Sequence, residues 1–140
     1  MKNIAEQIKR IIFALMLATT VAACSEDNIE DIFVEREWKL TYVNDGGVKR
    51  FTKNKVYSIQ FFDNSFKATL PGGGTINGNW KANGDTREFR CSNIRTSGHF
   101  AGDTIAEKMI QILTNAKKYE GDTNWLQIKQ QENVFMQFYN

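Results

Sequence analysis

Apolar side chains recur at every second position in short runs from Trp38 onward, and each run stops at a cluster of turn-forming residues. That period confines the chain to half-buried strands joined by tight turns. Trp38, Leu40 and Tyr42 alternate with Lys39, Thr41 and Val43 before Asn44-Asp45-Gly46-Gly47, a strong hairpin signal. Tyr57, Ile59 and Phe61 share one face, and Asp63-Asn64-Ser65 follows them. Phe66, Ala68 and Leu70 make a third run that ends at the only proline, in Pro71-Gly72-Gly73-Gly74. Ile76, Gly78 and Trp80 lie on one face of the next, Asn83-Gly84-Asp85 turns, and Arg87, Phe89 and Cys91 follow at period two. Leu126 and Ile128, the turn at Gln131-Glu132-Asn133, and a closing strand over residues 134–139 complete the series.

One segment has another period. Ile105, Met109, Ile112, Leu113 and Ala116 recur at helical spacing, with Lys108, Gln111, Asn115 and Lys118 on the other side. Thr104 and Glu107 have capping-box spacing, Lys117 and Lys118 suit the negative end of a helix dipole, and Gly121 supplies a left-handed stop. The pattern predicts an amphipathic helix over about residues 104–118. Its apolar stripe must be buried, and the hollow of a curved sheet is the place for it. The expected fold is mainly β (α+β): a strongly curved antiparallel sheet or partly open barrel with one packed amphipathic helix, Ile112 and Leu113 at its buried centre.

The N-terminus has a different composition. Lys2, Lys9 and Arg10 precede an apolar stretch that begins at Ile11 and ends in Val21-Ala22-Ala23-Cys24. The stretch falls short of the ~20 apolar residues needed to cross a bilayer, so a cleaved signal describes it better. It resembles the lipobox of bacterial lipoproteins, in which the cysteine is acylated and becomes the first mature residue. The resemblance implies a lipid, palmitate among its acyl chains, on Cys24. Ser25-Glu26-Asp27-Asn28, with Glu30 and Asp31 close behind, resembles the export tag of Bacteroidetes surface lipoproteins. The expected organisation is a signal peptide at 1–23, an acidic tether at 24–36 and a single β-rich domain at 37–140. The expected location is the outer membrane, lipid-anchored, with exposure at the cell surface implied by the tag.

Trp38-Lys39-Leu40, the strand ending at Phe61, Gly78 in the central strand, residues 105–119, Gly121-Asp122, Leu126-Gln127-Ile128 and the final strand through Phe138 run in one order. That order resembles META-domain proteins, the HslJ-like family. Members often carry Gly-Cys-Asn in the central strand, where this chain has Ile76-Asn77-Gly78-Asn79-Trp80. A Bacteroidetes lipoprotein family without assigned function and a lipocalin-like barrel fit the same features. The META resemblance implies an envelope location and no catalytic machinery.

The residues themselves offer little chemistry. His99 is the only histidine, and no spacing ties it to Cys91, Ser97 or Asp103 as a nucleophile pair. With Cys24 acylated, Cys91 is the only remaining thiol, too few donors for a closed zinc site. Asp122 and Asn124 do not make a calcium loop. Gly72-Gly73-Gly74 lacks the Lys-Ser or Lys-Thr of a phosphate loop. Lys2, Lys9, Arg10 and Glu6 leave with the signal, which takes the net charge of +2 to neutrality and removes any general field for nucleic acid.

What remains is local. Lys49, Arg50, Lys53 and Lys55 form one candidate anion patch, and Arg87, Arg90 and Arg95 another; joined, they would bind phosphate-bearing lipid A or an acidic glycan. The chain also carries 3 Trp, 4 Tyr and 10 Phe, most of them core by alternation, as at Trp38, Tyr57, Phe61 and Phe89, with Phe62 and Phe135 on the opposite parity. The expected function is a non-catalytic envelope binding or assembly module for a partner protein or glycan, without a cofactor. The alternative is a carrier holding a small lipid or glycan in the concavity of the barrel.

Overall fold

A computed structural model describes residues 28–34 and 36–140. They form helix α1 (Asn28–Phe33), strands β1 (Glu37–Asp45), β2 (Val48–Phe51), β3 (Ser58–Phe61), β4 (Ser65–Thr69), β5 (Thr75–Ala82) and β6 (Phe89–Ser97), helix α2 (Thr104–Thr114), and strands β7 (Lys118–Gly121), β8 (Trp125–Gln131) and β9 (Val134–Tyr139). The strands make one antiparallel half-barrel in the order β6-β5-β4-β3-β1-β9-β8-β7, with β2 paired to β1 beside it. Its two edge strands come together at one end, where the Phe89 amide donates to Lys117 O at 3.0 Å and the Tyr119 amide to Arg87 O at 2.9 Å. Mainly β structure, strong curvature and a packed helix agree with the sequence pattern.

The turns follow their chemistry. Gly46 and Gly47 both take positive φ, 64° and 97°, which a two-residue hairpin of the twisted kind requires. Tyr57, Ile59 and Phe61, then Phe66, Ala68 and Leu70, then Ile76 and Trp80, all face the core as alternation demands.

The helix starts and stops elsewhere than expected. Asp103 rather than Thr104 caps it, accepting from the Ala106 amide at 3.0 Å, since a carboxylate one residue earlier meets the same exposed donor. It ends at Thr114, because the Asn115 side chain closes on Gln111 O at 2.9 Å and the Lys117 amide is taken by Lys129 O in the sheet. Lys117 and Lys118 therefore sit at a strand rather than on the helix dipole. Gly121 lies in β7 at φ 154°, where a Cβ would stand 2.4 Å from Trp125 O, so it permits close strand contact rather than stopping a helix. Ile112 and Leu113 are fully buried as expected, with Ala106 and Met109 beside them, and Lys108 ties the helix to Asp45 of β1 at 3.2 Å.

Two further differences matter for the surface. Trp38 and Leu40 point inward, but a register shift between Leu40 and Tyr42 reverses the parity, so Val43 is buried and Tyr42 faces out. The folded unit also begins before residue 37, because the stretch read as tether contains α1. Its Ile32 and Phe33 are buried, and the Trp38 indole donates to Ile32 O at 2.9 Å. Phe33 stands at the centre of an aromatic cluster, 5.1 Å from Phe61, 4.9 Å from Trp80, 5.5 Å from Phe89 and 5.0 Å from Tyr119 between ring centroids. A hydrophobic residue in an acidic stretch thus plugs the hollow of the half-barrel.

Candidate binding face

Beyond its contact with β3, β1 pairs with β2, whose four residues are all exposed, whereas Val43 and Asn44 of β1 opposite them are buried. Val48 and Phe51 are 60% and 52% exposed, and Val56 in the following loop is 62% exposed. Tyr42, turned outward by the bulge, brings its ring to 5.2 Å from Phe51 and 6.1 Å from Phe135 on β9. An aromatic stripe therefore crosses β2, β1 and β9 on the outer face. The Lys49 ammonium lies 4.9 Å over the Tyr42 ring, an attraction of about 0.5–1 kcal/mol at an exposed site.

All four residues of the first basic group lie here. Lys49 and Arg50 are exposed on β2, and Lys53 and Lys55 are exposed in the loop that returns to β3. Among the described residues none of the four has a carboxylate within ion-pair distance. Lys53 holds a left-handed φ of 56°, which turns the loop back on itself. Two open clefts flank this loop. One of about 370 Å³ is lined by Lys39, Phe51, Lys53, Lys55 and Tyr139, and one of about 430 Å³ reaches Asp103 and Ile105 at the start of α2. Between them the Tyr57 hydroxyl donates to both oxygens of Asp103 at 2.7 and 2.9 Å. Burial, then the hydrogen bond and charge of Asp103, hold that hydroxyl well above the usual tyrosine range.

The second basic group does not join the first. Arg87, Arg90 and Arg95 belong to β6 and the turn before it, and β5, β4 and β3 separate β6 from β1 in the sheet. Arg90 pairs with Glu88 at 3.0 Å, and Arg87 lies 5.6 Å over the Tyr119 ring. On the other flank of the aromatic stripe, Lys129 is buried beside Phe135 and reaches Glu120 at 3.2 Å and Glu132 at 3.3 Å. Burial opposes its charge, but the two carboxylates outweigh burial and hold the ammonium above the usual lysine range.

The opposite end of β1 is acidic. A cleft of about 640 Å³ there is lined by Glu30, Asp31, Arg36, Glu37, Asp63 and Asn140. β2 pairs with β1 from Tyr42 onward, about 16 Å of strand from Glu37, whereas the loop bearing Lys53 and Lys55 returns beside Lys39.

His99, Ser97, Asp103 and Cys91 do not converge on one another. His99 is exposed in its loop, Ser97 bonds Thr75 at 2.6 Å, and both oxygens of Asp103 are held by Tyr57. Burial pushes the Cys91 thiol up to about 12, far from a thiolate at neutral pH. Among the described residues no three His, Cys, Asp or Glu side chains gather as a metal site, and no helix is long and apolar enough to cross a membrane. Cys24 and the signal residues lie outside the described residues.

Sequence reasoning found the basic residues and the outward Phe62 and Phe135, but not Val48, Phe51 and Val56. For Val48 and Phe51 the signal is the run Val48-Lys49-Arg50-Phe51 directly after Gly46-Gly47, a return strand; Val56 has no such signal.

A family model described as Domain of unknown function (DUF4847) matches residues 25–140. A solved structure of a DUF4847 family protein from Bacteroides vulgatus ATCC 8482 is 21% identical and covers 79% of this chain and 96% of that one, with a TM-score of 0.62. At that identity the likeness speaks for the fold. It agrees with the expected Bacteroidetes family without assigned function, and the META-domain and lipocalin-like likenesses remain resemblances of pattern. No curated protein matches the chain.

Proposed function

The chain belongs to the DUF4847 family, and from that premise we propose that it is a non-catalytic binding module, anchored at the outer membrane by a lipid on Cys24, that engages an envelope partner through the β1–β2 hairpin. The observation that carries this reading is the conjunction of exposed Val48, Phe51 and Val56 with four cations that have no ion-pair partner among the described residues, all on β2 and the loop that follows it. Scattered apolar residues on a surface are ordinary; apolar residues gathered with such charge on an exposed strand and its loop favour a contact. The carrier reading has less support, because Phe33, Phe61, Trp80, Phe89 and Tyr119 occupy the hollow that a ligand would need.

The two ends of β1 give the proposal a direction. α1 adjoins the acidic end, so a lipid on Cys24, only a few residues before Asn28, would hold that end toward the membrane and present the hairpin away from it. Mass spectrometry of the native protein extracted in mild detergent tests both parts. The expected spectrum shows residues 24–140 with acyl mass and no small molecule, and Cys24→Ala loses the acyl mass and the membrane association. A second retained mass would favour the carrier, and an anchored Cys24→Ala variant would remove the lipid site.

A further inference from the structure

Among the described residues the outer edge of β2 has no neighbour, since β2 pairs only with β1. The phase of its ladder is fixed at both ends. A two-residue hairpin closes on a hydrogen-bonded pair, here Asp45 and Val48, and the Thr52 amide donates to Thr41 O at 3.2 Å. Antiparallel pairs alternate, so Val43 and Arg50 bond each other, whereas Lys49 and Phe51 turn their N–H and C=O groups outward. Two residues with free donors and acceptors are the template for one more strand.

Side chains flank that template in a defined order. Lys49 and Phe51 stand on the outer face beside Tyr42, and Val48 and Arg50 on the other, all exposed. Lys53 and Lys55 extend the positive charge into the loop. A second copy of β2 fits poorly, because antiparallel pairing of Val48-Lys49-Arg50-Phe51 with itself sets cation against cation, and directly opposed like charges destabilise a sheet pair. The chain's own acidic residues at α1 and Glu37 lie at the far end of β1.

Resting on the binding reading above, we infer that the β2 edge takes up an extended acidic segment of a partner protein as an added strand, with the pattern apolar-acidic-acidic-apolar. The two carboxylates meet Lys49 and Arg50 and the apolar residues meet Phe51 and Val48. The pattern reads the same in both directions, so it suits a parallel or an antiparallel addition.

The test uses full-length protein in detergent and a dye-labelled, end-capped peptide, Thr-Val-Glu-Glu-Val-Thr, followed by fluorescence anisotropy. Binding is expected, weakened at least tenfold by Lys49→Glu with Arg50→Glu, weakened by added salt, and absent for Thr-Val-Lys-Lys-Val-Thr. The backbone is tested separately. Phe51→Pro removes an outward N–H without touching the β1 ladder, and it should bind at least fivefold more weakly than Phe51→Ala. If Phe51→Pro fails to fold, slowed amide exchange at Lys49 and Phe51 of the wild type on peptide addition reads the same bond. Equal binding by the proline and alanine variants, unchanged amide exchange, or no binding at millimolar peptide overturns strand addition. Dimerisation abolished by Phe51→Pro would overturn it in favour of self-pairing. Contacts made in cells at position 51 by a protein whose peptide site fails would leave the hairpin as a binding face and remove only the added strand.

Discussion

Phe33 and Phe51 are the same side chain in opposite circumstances. Phe33 is fully buried among four rings in the hollow of the half-barrel, whereas Phe51 has one ring partner and is half exposed on β2, a strand exposed at every residue. Aromatic content alone therefore says little about which residues hold a fold and which meet a partner. Layering decides. A strand that lines the hollow has a filled side, and β2, exposed at all four residues, has none.

The comparison breaks first on stability. Phe33→Ala removes the hub of the aromatic cluster and should cost about 3–5 kcal/mol in chemical denaturation, a large share of what a domain of this size possesses. A loss below about 1 kcal/mol would mean that α1 is a loose appendage and the hollow open.

An intermediate effect is expected at Tyr57→Phe, which deletes the bond to Asp103 that joins the residue just before β3 to the start of α2. A hydrogen bond to a carboxylate contributes roughly 1–2 kcal/mol when partly buried. Because the folded state keeps the Tyr57 proton longer than the unfolded chain does, its contribution is full below about pH 10 and is lost as pH rises further. Wild type should lose stability on that alkaline limb more steeply than Tyr57→Phe.

A smaller effect is expected at Glu132→Gln on the flank of the stripe. Hydrogen bonds from Lys129 and then Lys118 hold the Glu132 carboxyl below the usual range, so its contribution is present above that range and lost as pH falls. Glu132→Gln should be slightly less stable than wild type at pH 7 and equal to it once the carboxyl is protonated in acid, and added salt should shrink the difference. A gap that persists in acid would place its cause outside the ion pairs.

The smallest effect belongs to Phe51→Ala. It should stay within about 0.5 kcal/mol of wild type, as surface substitutions do. A cost near that of Phe33→Ala would make the hairpin part of the core.

The interior was far more legible in the sequence than the surface. Period-two runs and Gly, Asn and Asp clusters locate β3, β4, β5, β8 and β9 because a half-buried strand imposes its alternation directly. The bulge at Leu40 and Tyr42 inserts no visible signal, so parity beyond it could not be read. The end of α2 was misplaced because Ala116 continues the helical stripe while the competing claim on the Lys117 amide comes from Lys129, distant in sequence. α1 is hidden among acidic residues, since a short helix held by buried Ile32 and Phe33 and the Trp38 bond has little pattern of its own. The four cations of the hairpin were found, but the apolar residues beside them gain meaning only once the sheet leaves β2 exposed.

The central claim is that contact is made by the exposed strand of the hairpin while the hollow stays filled. Photo-crosslinking in intact cells tests it most directly, with a benzoyl-phenylalanine at position 51 and, as control, at exposed position 67 on β4. The account expects a discrete crosslinked species from position 51, lost when Lys49, Arg50, Lys53 and Lys55 are all changed to glutamate, and none from position 67. Equal crosslinking from both positions, or none from position 51, would contradict it.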